Sequence, residues 1–193
     1  SDQIVSWASL PVGVVTLAER YGGRDVKGDT FERMIADVIS HLGEFPNRDC
    51  LEKIWRRGRV HLLGTSGTVT TIAGIHLKLP RYDRRQVDGL WLGSSEIDRV
   101  ISDLLAMDFA ERSSSPCVGH ERADLVLAGC AILEAIRRTW PSERLRVADR
   151  GLREGILTQM MERDAAWLPP KKWRRWPNRL KGGGAPGNRG PAR

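Results

Sequence analysis

Val60-His61-Leu62-Leu63-Gly64-Thr65-Ser66-Gly67-Thr68-Val69-Thr70-Thr71-Ile72-Ala73-Gly74-Ile75-His76-Leu77 is the stretch on which the fold turns. Residues 60–63 are mostly apolar and short, as a strand requires. Residues 69–77 take up helical spacing until Pro80 stops them. Gly64-Thr65-Ser66-Gly67-Thr68 lies between, so a glycine-rich turn joins a strand to a helix. Two glycines let backbone approach an anion closely, and three hydroxyls can donate to it. The helix start adds free N–H groups and a partial positive charge. No Lys follows the second glycine, which excludes a P-loop. On these residues alone, a glycine-rich turn with a Ser/Thr cap fits as well as an anion cradle.

Upstream, Phe31, Met34, Ile35, Val38, Ile39 and Leu42 form one helical face that ends at Gly43 and Pro46. Asp29 with Glu32 three positions on reads as its capping box. Residues 3–9 and 12–18, split by Leu10-Pro11, read as two antiparallel strands. Downstream, Ser94 or Ser95 caps a helix with its core face at Ile97, Val100, Ile101, Leu104 and Leu105. Residues 125–136 are apolar almost all round, with only Glu134 charged, which predicts a buried helix. Residues 145–148 form a strand and 153–161 a last helix. Strands alternating with helices predict an α/β layer whose sheet is mainly parallel after an antiparallel hairpin.

The 193 residues carry a net charge of +7, and its location decides its meaning. Eight basic and no acidic residues lie between Ala165 and Arg193, so residues 1–164 are left at −1. Two parts follow: a folded region over 1–164 and a basic, Pro/Gly-rich tail over 165–193 that cannot build a core. Nucleic-acid binding could be argued from charge for the tail alone, where Trp167, Trp173 and Trp176 interleave with Lys171, Lys172, Arg174 and Arg175. Cys50, Cys117 and Cys130 show no C-x-x-C pair, which excludes a disulfide framework or zinc ribbon and points to a reducing cytoplasm. His41, His61, His76 and His120 fall in four separate segments without metal-ligand spacing, so no metal ligand is expected. No apolar run approaches the ~18 residues of a membrane span.

Two further junctions could carry chemistry. Asp149-Arg150-Gly151-Leu152-Arg153-Glu154-Gly155 could order a phosphate or a metal-bound water, or Asp149 could be a helix cap paired with the arginines. Arg122, within Glu121-Arg122-Ala123-Asp124, could clamp a phosphate bidentately or pair with a neighbouring carboxylate at a helix start.

Together, residues 9–17 (Ser-Leu-Pro-Val-Gly-Val-Val-Thr-Leu), Gly64–Thr68, Glu121–Asp124 with Ala128-Gly129, and Asp149–Gly155 resemble the Ppx/GppA family in order and rough spacing, over about residues 5–162. These are exopolyphosphatases and guanosine pentaphosphate phosphohydrolases. The resemblance implies an actin-like (ribonuclease H-like) half-lobe, a mixed sheet with flanking helices, facing a second lobe across the active-site cleft. It implies Mg²⁺-assisted hydrolysis of a terminal phosphoanhydride of inorganic polyphosphate or guanosine pentaphosphate. Gly64, Thr65, Ser66, Gly67 and Thr68 would cradle phosphate, Arg122 would grip it, and Asp149, Arg150 and Glu154 would lie near the cleft. The family's Asp-x-Gly-Gly-Gly-Ser loop and water-activating Glu lie upstream of the Ser-Leu-Pro motif, where only eight residues precede Ser9. The expectation is therefore a fragment without its first strand, inactive alone, whose catalytic residues lie before Ser1. Expected partners are the other lobe and the substrate, with a second copy as a candidate, and the tail would bind polyanions weakly. The alternative reading is a non-catalytic polyphosphate- or nucleic-acid-binding module.

Overall fold

The computed structural model describes residues 4, 6–58 and 60–164; the tail expected over 165–193 lies outside them. Three short strands form one mixed sheet in the order β1-β3-β2, where β1 is Leu62–Gly64, β2 Trp91–Gly93 and β3 Arg144–Val147. β3 is central. It runs parallel to β1, with Leu62 opposite Leu145, and antiparallel to β2, with Leu92 opposite Leu145. Alternation sends Leu92, Leu145 and Val147 into the core and leaves Trp91, Arg144 and Arg146 on the other face. The expected α/β class with a mixed sheet and flanking helices is the one adopted.

The core is built on α8 (Val126–Thr139), which buries Val126, Leu127, Ala128, Gly129, Cys130 and Ala131 in succession. Such small residues let α2 (Gly28–Gly43) pack closely along it through Phe31, Met34, Ile35, Val38 and Leu42. Across their ends Arg138 makes a two-pronged ion pair with Glu32, at 2.6 and 2.8 Å. α6 (Ser94–Ala106) buries Ile97, Val100, Ile101 and Leu104, as its spacing predicts. Its cap is Gly93 rather than Ser94 or Ser95, because the Glu96 carboxylate reaches back to accept from the Gly93 amide at 2.7 Å. Likewise α2 begins at Gly28 with Lys27 as N-cap, which places Asp29 inside the first turn.

The expected amino-terminal hairpin is not formed. Residues 12–18 contribute instead to helix α1 (Val14–Tyr21), started by a reciprocal pair of bonds between Gly13 and Thr16. The Gly13 amide donates to the Thr16 hydroxyl at 3.0 Å, and that hydroxyl donates to the Gly13 carbonyl at 3.1 Å. Burial of Leu17 and Ala18, with α1 packed on α8, outweighs the strand preference of the β-branched run.

Three short helices, α3 (Arg48–Arg56), α5 (Arg84–Val87) and α7 (Phe109–Ser114), were not anticipated, nor was β2. All three cysteines are free: Cys50 is exposed, while Cys117 and Cys130 are buried. Among the described residues no helix is long and apolar enough to cross a membrane. Residues 1–151 form one compact unit, and a second unit begins with α9 (Leu152–Arg163).

Candidate phosphate-binding site

The parallel strands β1 and β3 end side by side, and both expected loops leave from those ends. The Ala148 amide donates to the Gly64 carbonyl at 2.9 Å, which ties the start of one loop to the start of the other. Ligands of α/β sheets bind outside the carboxyl ends of parallel strands. The sheet topology therefore puts Gly64–Thr68 and Asp149–Arg150 where a ligand would be expected.

From Gly64 the chain turns into α4 (Gly67–His76), with Ser66 as N-cap accepting from the Val69 amide at 3.4 Å. Val69 to Gly74 are all buried, so α4 reaches the surface at its two ends, half-buried at Ile75 and His76 and open at the amino terminus. That end carries the exposed Thr65, Ser66 and Gly67. Among the described residues the hydroxyls of Thr65 and Thr68 have no hydrogen-bond partner. Gly129 permits this arrangement, since a Cβ there would stand 2.1 Å from Thr68 Oγ1. α8 thus supports the loop from beneath by direct contact with its backbone.

Arg122 comes from a one-turn 3-10 helix, His120–Arg122, just before α8. Its guanidinium reaches Gly67 so closely that a Cβ on that glycine would lie 3.3 Å from Nη1. Ser66, Gly67, Thr68, Thr71 and Arg122 line one cavity of about 220 Å³. A second cavity of about 350 Å³ shares Ser66 and Thr68 with it and extends along Leu62, Leu63, Gly64 and Thr65. Among the described residues Arg122 pairs with no carboxylate, neither Glu121 nor Asp124. An exposed cation beside a helix amino terminus and free hydroxyls forms an anion-binding arrangement.

Asp149 and Arg150 are engaged differently. The Asp149 carboxylate accepts from the Tyr82 hydroxyl at 2.8 Å and pairs with Arg84 at 3.2 Å, while the Arg84 guanidinium also donates to the Asp149 carbonyl. Burial first, then the bond to Asp149, pushes the Tyr82 phenol up to about 12. Arg150 pairs with Asp88 rather than with Asp149, at 3.4 Å. Asp88 also accepts from the Asp149 amide at 2.9 Å, and that bond is the main cause holding its carboxyl below the usual range. Tyr82, Arg84 and Asp88 give no sequence signal, because each lies more than sixty residues from its partner. Glu154 stands in the first turn of α9, within the second unit.

Among the described residues no group of three or more His, Cys, Asp or Glu could hold a metal ion. The nearest carboxylates, Asp88 and Asp149, are taken up by arginine, tyrosine and amide partners. These residues alone do not build the Mg²⁺ site that the resemblance implies.

A profile of the Ppx/GppA phosphatase family matches residues 1–164. No curated protein sequence gives a significant match. Among solved structures, an exopolyphosphatase from Cytophaga hutchinsonii superposes with a TM-score of 0.68 at 21% identity, covering 83% of this chain and 51% of that one. A Ppx/GppA family member from Aquifex aeolicus gives 0.66 at 24% identity, covering 81% and 49%. Another structure of an Aquifex aeolicus PPX-GPPA enzyme gives 0.65 at 26% identity, covering 79% and 48%. The chain spans about half the length of these relatives.

Proposed function

We propose a function from one premise: the chain belongs to the Ppx/GppA phosphatase family. Within a hydrolase of that family, Gly64–Thr68 and Arg122 grip the terminal phosphates of an inorganic polyphosphate chain. The observation that carries this reading is Arg122, unpaired among the described residues and set against Gly67 at the amino terminus of α4. A guanidinium with no internal partner adds nothing to the fold by ion pairing, yet suits a tetrahedral anion bidentately.

Hydrolysis of a phosphoanhydride proceeds by attack of water in line on the terminal phosphorus, with cleavage of its bond to the bridging oxygen. Negative charge grows on the leaving phosphate, and catalysis consists mainly of positioning and of stabilising that charge. The α4 amides, the Thr65, Ser66 and Thr68 hydroxyls and Arg122 supply fixed positive potential for this. Activation of the water is assigned to none of the described residues, and no Mg²⁺ ligand is assigned either.

Guanosine pentaphosphate presents the same anhydride, but among the described residues no aromatic side chain lines either cavity beside the loop. Nothing there would stack on a guanine, which favours the inorganic chain. The name of the Cytophaga hutchinsonii relative, an exopolyphosphatase, agrees.

The test is binding of inorganic polyphosphate by Arg122→Ala. A charge-assisted contact is worth ~1.5–3 kcal/mol, so affinity should fall about tenfold or more. The melting temperature should not move, because no protein carboxylate loses its partner. Unchanged affinity with a lower melting temperature would make Arg122 structural.

A further inference from the structure

The face of the sheet turned away from the core carries an uncompensated positive patch. Arg144 is exposed and Arg146 half-buried, two residues apart on the same side of β3 and so roughly 7 Å apart along the strand. Trp91, opposite Arg146 in β2, shares that side. The Arg144 guanidinium carbon lies 4.2 Å from the centre of the Trp91 ring and that of Arg146 5.0 Å. His61 meets the ring edge-on at 4.9 Å. Among the described residues neither guanidinium has a carboxylate or hydrogen-bond partner. Other arginines also lack an ion pair, but these two sit two residues apart on one strand face and share one tryptophan ring. Two like charges on one strand face repel, and the fold gains no ion pair in return.

Next to Arg144 opens a polar cavity of about 410 Å³, lined by Trp55, His61, Ser142 and Glu143 among others. Among its described lining residues Glu143 is the one carboxylate.

We infer that this face is a second phosphate-chain subsite, in which Arg144 and Arg146, steadied by Trp91, hold phosphate groups beyond those at the Gly64–Thr68 loop. Three observations lead there. The tryptophan fixes both cations without neutralising them, so their donors stay available to an anion. Its ring is already taken up by two guanidiniums and an imidazole, which leaves little for a nucleobase to stack on and selects an inorganic chain. The patch also continues from the first site: Arg146 immediately precedes Val147, which pairs with Gly64. A linear polyanion leaving the loop and lying back along β3 would pass Arg146, then Arg144.

The inference rests on the polyphosphate reading above, and arginine footprinting separates the two. The full chain is treated with phenylglyoxal, with and without long-chain polyphosphate or tripolyphosphate, and each arginine is followed by peptide mass spectrometry. Long chains should slow modification of Arg122, Arg144 and Arg146 by about tenfold, as expected for a charge-assisted contact at each. Tripolyphosphate should protect Arg122 alone. Protection of Arg122 without Arg144 and Arg146 under long chains overturns the subsite and leaves the loop reading standing. Protection of Arg144 and Arg146 without Arg122 sinks the loop reading and keeps the subsite. Arg144→Gln/Arg146→Gln should weaken long-chain binding and leave tripolyphosphate binding unchanged. Equal affinity of this variant and the parent for long chains also overturns the proposal, provided both melt at the same temperature.

Discussion

Arg112 is the largest fully enclosed side chain among the described residues, at 2% exposure, in a class that is almost never buried without partners. Its guanidinium donates to the carbonyls of Arg24 at 2.5 Å, Met107 at 2.6 Å and Ala123 at 3.3 Å. One cation thereby joins the loop after α1, the end of α6 and the entry to α8. Burial pushes its pKa below the ordinary arginine value, with Asp108 and Asp25 acting in the opposite direction. Arg112→Met should strand three carbonyls at a cost of about 3–5 kcal/mol. The melting temperature should fall by roughly 10 °C, at about 2–4 °C per kcal/mol for a chain this size. A variant that melts with the parent would show that water satisfies those carbonyls. Arg112 and Arg122 look alike in the sequence, each in a short polar run. Only Arg122 could be singled out, by the motif around it, because the enclosure of Arg112 depends on three loops that local sequence does not bring together.

The contact of α8 with the phosphate loop belongs to the next scale. A Cβ on Gly129 would stand 2.1 Å from Thr68 Oγ1 and 3.0 Å from both Thr68 Cβ and Cγ2, so no rotation of that side chain clears it. Gly129→Ala should therefore lose about 1–3 kcal/mol to overpacking, offset by up to ~1 kcal/mol of helix propensity. In a Thr68→Ala background most of the loss should vanish. A thermal-melting cycle in which the two changes simply add would refute the close approach. Helices with a one-sided apolar pattern, α2 and α6, were legible because their burial is written at a spacing of three and four. α1 was misread: its β-branched residues favour extension, and the cap between Gly13 and Thr16 is not a familiar signature. α3 does carry a short apolar stripe, Cys50, Leu51, Ile54 and Trp55, of which Leu51 and Trp55 pack against the core, but at nine residues, none of them fully buried, it is too short to stand out from the loops beside it. β2 has three residues, too few to show alternation. For the site, the loop at Gly64–Thr68 was readable from glycine and hydroxyl placement, whereas the Tyr82, Arg84 and Asp88 network was not. It exists only because β3 enters the middle of the sheet late in the chain.

Across the whole molecule, charge and packing are separated. Residues 1–164 are nearly neutral at −1, so Arg122, Arg144 and Arg146 act through their local placement, beside the loop and on one face of β3, rather than as part of a general basic field. The core runs through α8, on which α1, α2, α4 and α6 all pack. That convergence also grades the three thiols. Cys50 is exposed on α3, Cys117 is 8% exposed, and Cys130 is fully enclosed at the centre of α8. Burial raises the pKa of Cys117 and pushes that of Cys130 up to about 12.

A thiol reacts as its thiolate and only when reached, so this gradation makes the chain its own clock of opening. Iodoacetamide should alkylate Cys50 at once and Cys117 after a local excursion of the turn that carries it. Cys130 should wait until α8 parts from α2, an event of the same size as complete unfolding. Its labelling rate should then rise with urea as steeply as global unfolding does, while that of Cys117 rises less. Cys130 reacting as fast as Cys50 would mean that the helix at the centre of the core is its loosest part.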